Sequence, residues 1–312
     1  MNLYIFICLG IFIGALFPIQ ASISARLSTF AKTPLVASFI AFAVGTILLF
    51  IVNFIFEPTW MQKGIDLSYS PYVYLGGAMA GVGFNLINII LFAKLGASIT
   101  TLLTVTGGLI IGILIDHFGW FGVVINPISA TVLVGATLMI TAIALSQSTK
   151  KTSVSAIKKH KQTKLPWIII GILSGSLPPL QTAINGKLRI LTGSPLQAAF
   201  ISFLVGTMIL FLLVWIKQRQ LKIPTKNNKG KRLPLWIYFG GVFGVFVVTG
   251  NIILLPELGS VLTTMVFLFG QMTMALLIDH FGLFHLPKQK ITMQKIFVMI
   301  LMIAGILLVK LP

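Results

Sequence analysis

GIFIGALFPIQASISARLSTFAKTPLVASFIAFAVGTILLF, residues 10–50, returns in mid-chain as GILSGSLPPLQTAINGKLRILTGSPLQAAFISFLVGTMILF, residues 171–211. Aligned without a gap, 19 of the 41 positions are identical. Among them are Gly10/Gly171, Gly14/Gly175, Pro18/Pro179, Gln20/Gln181, Pro34/Pro195, Phe39/Phe200, Gly45/Gly206 and Thr46/Thr207. Shared apolar composition would match Leu and Ile, but it would not hold Pro, Gln and Gly in register. The register continues through Leu95-Gly96 against Leu258-Gly259 and Ile115-Asp-His-Phe-Gly119 against Ile278-Asp-His-Phe-Gly282. The chain therefore reads as a tandem duplication.

The repeated unit is apolar. With 57% hydrophobic residues, 9% charged residues and a mean hydropathy of +1.02, 312 residues carry more apolar surface than one soluble core absorbs. Lipid is the expected surrounding. Spanning the bilayer takes about 20 mostly apolar residues, and ten segments qualify: 3–25, 35–56, 72–93, 97–117, 123–146, 165–186, 196–216, 235–256, 260–279 and 291–311. The first has no basic n-region and recurs near residue 171, so it reads as a retained helix rather than a signal peptide. The expected fold is an all-α polytopic membrane protein of ten transmembrane helices: a five-helix repeat over 1–147, a basic cytoplasmic linker over 148–164 and a second repeat over 165–312. Five being odd, the second repeat should be inserted upside down.

Charge supports that arrangement. Alternate loops beginning after the first segment collect Arg26 and Lys32, Lys94, six Lys from Lys150 to Lys164, seven Lys and Arg from Lys217 to Arg232, then Lys288, Lys290 and Lys295. Only Lys63, Lys187, Arg189 and Lys310 fall on the other side. The positive-inside rule then makes the first set cytoplasmic and both termini periplasmic. The net charge of +18 is thus explained by insertion, and nucleic acid is not an expected partner. The lone Cys8 gives neither a disulfide framework nor a cysteine metal site.

Candidate binding residues are the amides of the apolar segments. Gln20 follows Pro18, and Gln181 follows Pro179; proline-broken helices at matching places in two halves are the pointer to a midplane transport site. Asn185 lies one turn after Gln181. Asn88 and Asn251 occupy equivalent places, while Asn85 and Gln271 have no duplicate. An amide in lipid needs a polar partner, either another helix or a ligand. Asp116-His117 and Asp279-His280 each end a segment before a glycine suited to C′. Asp at the negative end of a helix dipole needs a compensating donor, for which the start of the fifth or tenth segment is the expected source. Fixing a turn and coupling transport to a proton are both open roles. No His-Glu-x-x-His, Gly-x-Ser-x-Gly or Walker motif is present, so an enzyme is not expected, and no cofactor or metal is called for.

These residues resemble a known family. Gly175-x3-Pro179-x-Gln181-x3-Asn185, Ser194-Pro195, Gly206-Thr207, Gly240-Gly241, Leu258-Gly259, Gly270-Gln271 and Ile278-Asp-His-Phe-Gly282 are similar to the YdcZ-type branch of the drug/metabolite transporter superfamily. The branch includes single five-helix units that pair in opposite orientations, and this chain resembles a fused version. The resemblance implies a secondary transporter of a small molecule with a central cavity lined by both halves; a channel or a membrane scaffold is the alternative. Expected partners are a small-molecule substrate and the lipid bilayer of the bacterial inner membrane, with a coupling proton or ion and a homodimer left open. The first half departs from the pattern at Ser24 and Gly108, opposite Asn185 and Gln271.

Overall fold

The computed structural model describes residues 3–31, 33–58, 69–148, 165–219, 223–226, 232–283 and 291–310. The linker expected over 148–164 lies outside them but for Ser148. The helices are α1 (Leu3–Ala31), α2 (Pro34–Phe56), α3 (Tyr72–Phe118), α4 (Ala130–Ser148), α5 (Leu165–Thr192), α6 (Pro195–Gln218), α7 (Gly240–Phe281) and α8 (Met293–Lys310). Short 3₁₀ turns occupy Trp120–Gly122 and Leu235–Tyr238, and there is no named strand among the described residues. Among the described residues, six helical stretches are long and apolar enough to cross a membrane. Their outer faces carry exposed Ile47, Phe54, Ile55, Met208, Leu212 and Ile216, which water would not tolerate in such density and lipid does.

Boundaries follow local chemistry. Ser194 caps α6 by accepting from the Leu196 and Gln197 amides, with Pro195 in the first turn, where its missing N–H costs nothing. Gly119 and Gly282 end α3 and α7 in the left-handed region, at φ 63° and 67°, as C′ glycines do. The fifth apolar segment becomes helical only at Ala130, seven residues later than its expected start at 123. Pro127 explains the delay, since the residue before a proline is pushed away from helical dihedrals.

The larger difference lies in α3 and α7, each of which joins two expected spans. A straight helix of 47 residues would be ~70 Å long, more than twice the hydrocarbon core. Neither helix is straight. A Cβ built on Gly83 would lie 3.5 Å from Leu177, and one on Gly108 would lie 3.8 Å from Pro179. Those two glycines would be ~37 Å apart on a rod, so α3 turns back and lays both arms on α5. In α7 the reversal is at Gly259 (φ 72°, ψ 177°), a conformation open essentially to glycine alone. Its two arms both pack on α1, Gly250 meeting Ile13 and Phe267 meeting Gly14.

The halves interlock rather than stand side by side, with α1 on α7, α5 on α3, α2 on α6 and α4 on α8. The largest core joins residues from α1, α3, α4, α7 and α8, including Leu109, Met139, Met265 and Met302. At the centre Thr46 and Thr207, duplicates of one another, share a 2.8 Å hydroxyl hydrogen bond. Phe42 and Phe203, also duplicates, bring their rings to 5.2 Å.

Candidate functional site

Two seams hold most of the sequence-selected amides. In the α5/α3 seam the Gln181 amide lies against Gly81, and Asn185 against Gly77; a Cβ on either glycine would overlap the amide. Asn185 is buried and donates to Ser202 at 3.2 Å. Asn88 lies two turns beyond Gly81 on the same face of α3, since residues seven apart align. The α1/α7 seam repeats the pattern: Gln20 lies against Gly244, and Asn251 follows two turns along. Ser24, the residue opposite Asn185 in the repeat, lies against Gly240. The glycines thus provide room for amides where an alanine would fill it.

Several of these amides are left partly unsatisfied among the described residues. The buried side-chain oxygens of Gln20, Asn88 and Asn251 have no hydrogen-bond partner among the described residues, nor have the hydroxyls of Thr100 and Thr263. Native interiors leave few such atoms, and each one calls for a reason, a ligand among them. Asn88/Asn251 and Thr100/Thr263 are both duplicate pairs, 163 residues apart in sequence. The two threonines escaped the sequence reading because a helical Thr normally returns its hydroxyl to its own backbone, as Thr46, Thr106 and Thr264 do here.

The remaining candidates lie elsewhere. Asn85 is exposed and donates to the Gly81 carbonyl of its own helix at 3.2 Å. Gln271 is half-buried on the second arm of α7, next to Gly270, where a Cβ would overlap the Ile11 carbonyl. Pro18 and Pro179 both sit inside helices.

Asp116 is buried, and its carboxylate accepts from the backbone amides of Ser260 at 2.6 Å and Val261 at 2.8 Å. The compensating donor is therefore the arm that follows Gly259, not the start of the fifth or tenth segment. The interlocked halves explain the difference: the nearest free amides belong to the opposite repeat. Its backbone carbonyl accepts from Asn126, and His117 Nδ1 accepts from the Ile128 amide at 3.3 Å, so the pair also ties down the loop before α4. His280 is exposed, its ring 5.0 Å from Phe281; the Asp279 side chain lies outside the described residues.

A polar junction missed at the sequence level joins α2 to α6. Glu57, capping α2, accepts from the Ser194 hydroxyl and, at 2.6 Å, from the Gln197 amide. At the other end Gln218 donates to Thr33 at 2.9 Å. Glu57 and Gln218 are duplicates, as are Thr33 and Ser194, so the two junctions are counterparts. A lone acid at the end of an apolar segment was the available signal.

None of the curated proteins compared matches the chain. A solved crystal structure is similar in fold over 98% of this chain and 95% of its own, with a TM-score of 0.63 at 14% identity. One family model, described as "Putative inner membrane exporter, YdcZ", matches twice, over residues 5–145 and 166–308. The chain belongs to the YdcZ family, a multi-pass inner-membrane transporter family rather than a family of enzymes.

Proposed function

We propose that this chain is a secondary transporter exporting a small polar molecule by alternating access, with ten spans arranged as two inverted five-helix repeats. The observation that carries the reading is the pairing of duplicates: Thr46 with Thr207, and the Glu57–Ser194 junction against the Gln218–Thr33 junction. Such pairs arise when two copies of one unit meet about a two-fold axis. For repeats of five spans, that axis lies in the membrane plane. In this reading both termini face the periplasm. Activity fusions after Pro312 are expected to report a periplasmic end; a cytoplasmic signal would overturn the orientation.

The substrate site lies between the two seams, with Gln20, Gln181, Asn88, Asn251 and Asn185 around it and Thr100 and Thr263 at its edge. The oxygens without partners favour a solute rich in hydrogen-bond donors. A thermal-shift screen of the purified protein against metabolites and cationic drugs finds the ligand, since whatever binds only the folded form raises the Tm. Asn88→Leu and Asn251→Leu are each expected to weaken that ligand's shift at least about tenfold in concentration, as loss of one to two hydrogen bonds implies, while leaving the ligand-free Tm within a few degrees. A ligand shift unchanged in both variants would remove these amides from the site.

A further inference from the structure

Several equivalent positions of the two repeats are unequally buried around the two reversals, although Leu91/Leu254 and Thr100/Thr263 are buried in both. Leu258, Leu262, Met265 and Val266, which flank Gly259, are buried. Their counterparts Leu95, Ile99, Leu102 and Leu103 are half-buried. The same holds at matching places on α5 and α1: Asn185 and Gly186 are buried on α5, whereas Ser24 is half-buried and Ala25 exposed on α1. In an inverted repeat, counterparts lie at opposite membrane faces. Unequal burial then means that one face is shut and the other is looser.

The shut face has identifiable parts. Ile115, Ala183 and Leu255, from α3, α5 and α7, form a separate apolar cluster with Ile111, Phe121, Val123 and Leu180 packed against it. Directly beside Ile115, the Asp116 carboxylate closes on the Ser260 and Val261 amides. Gly112 brings α3 close enough that a Cβ there would be 3.4 Å from the Ser260 hydroxyl. A buried carboxylate held by two backbone amides is a contact that either forms fully or opens with a large change in solvation, which suits a two-state element.

We propose that Asp116 is a gate latch: by capping the arm that follows Gly259 it holds the Ile115–Ala183–Leu255 seal shut at one end of the solute path, the periplasmic end. Asp116 acts through the helix it positions and touches no substrate. The inference rests on the inverted ten-span reading above, both for the shut face and for its side of the membrane; the contact of Asp116 with Ser260 and Val261 does not.

The test uses the full chain in membranes, with Cys8→Ser and Ala183→Cys as the single reporter thiol, exposed to a membrane-impermeant maleimide from each side in turn. Slow labelling from the periplasmic side is expected. A disulfide between Gly112→Cys and Ser260→Cys should slow labelling at position 183, read by peptide mass mapping, by about tenfold or more, with recovery at that position after reduction and removal of the reductant. Asp116→Ala should speed it by a similar factor. Labelling indifferent to the disulfide overturns the latch, and so does an Asp116→Ala chain that elutes as a single folded species and labels at the parent rate. Should that variant fail to fold, the disulfide arm decides alone. Latch-dependent labelling from the cytoplasmic side instead keeps the latch and overturns the proposed orientation.

Discussion

Gly175→Ala should cost this protein roughly 3 kcal/mol of stability, at the upper end of what one extra methyl does to a packed interior. The reason is what the methyl would meet. A Cβ there would overlap the carbonyl group and Cα of Thr104, and backbone cannot rotate aside as a flexible side chain does. The whole α5/α3 seam would have to open, moving Gln181 and Asn185 with it. Gly14, which faces the Phe267 carbonyl across the α1/α7 seam, should behave alike. Gly83→Ala is the control. Its new methyl would find Leu177 at 3.5 Å, an ordinary contact, and replacing a mid-helix glycine then gains about 0.5–1 kcal/mol. Thermal unfolding in detergent separates the two, Gly175→Ala falling and Gly83→Ala holding or rising. A Gly175→Ala protein that melts with the parent would mean that the seam has slack.

Asp116→Ala should be comparably costly, because it leaves two buried amides without an acceptor, and each such loss is worth about 1–3 kcal/mol. Gly259→Ala strains the same joint from the other side. It forces a side chain into φ 72°, and its Cβ would stand 3.1 Å from the Asp116 carboxylate; such strain costs on the order of 1–3 kcal/mol. Since both substitutions break one contact, their effects should not add. The double variant is expected to lose at least about 1 kcal/mol less than the two single losses together, as for residues sharing a partner. Strict additivity in thermal or denaturant unfolding would mean that Asp116 and the break at Gly259 are energetically independent.

Much of this architecture is legible in the sequence because a duplication repeats its informative residues. Pro, Gly and Gln at matching offsets fix the repeats, and apolar length fixes most helices. The reversals within α3 and α7 are not legible as turns. Lys94-Leu-Gly96 and Pro256-Glu-Leu-Gly259 are too short to read as loops of known shape, so hydropathy alone marks two adjacent apolar segments and not how they are joined. The partner of Asp116 is hidden for a different reason: it lies 144 residues away, and nothing local to Ser260 or Val261 marks them as donors. Glu57 was visible as a rare charge, but its role depends on Ser194 and Gln197, which only the packing of α2 on α6 brings to it. The amides of the two seams could be chosen from sequence because lipid makes any uncharged polar group conspicuous.

The hydroxyl contact between Thr46 and Thr207 also carries a history. If the ancestor was one unit pairing with its own copy, this threonine met itself, and every change at that position altered both sides of the contact at once. A hydroxyl suits such a place because it both donates and accepts, so two identical groups still make one bond. Fusion into a single chain ended that obligation for every position, yet it relaxed only those whose partner is a different residue. Glu57 and Gln218 differ, each answering to its own neighbours at its own end, while the two threonines answer to each other.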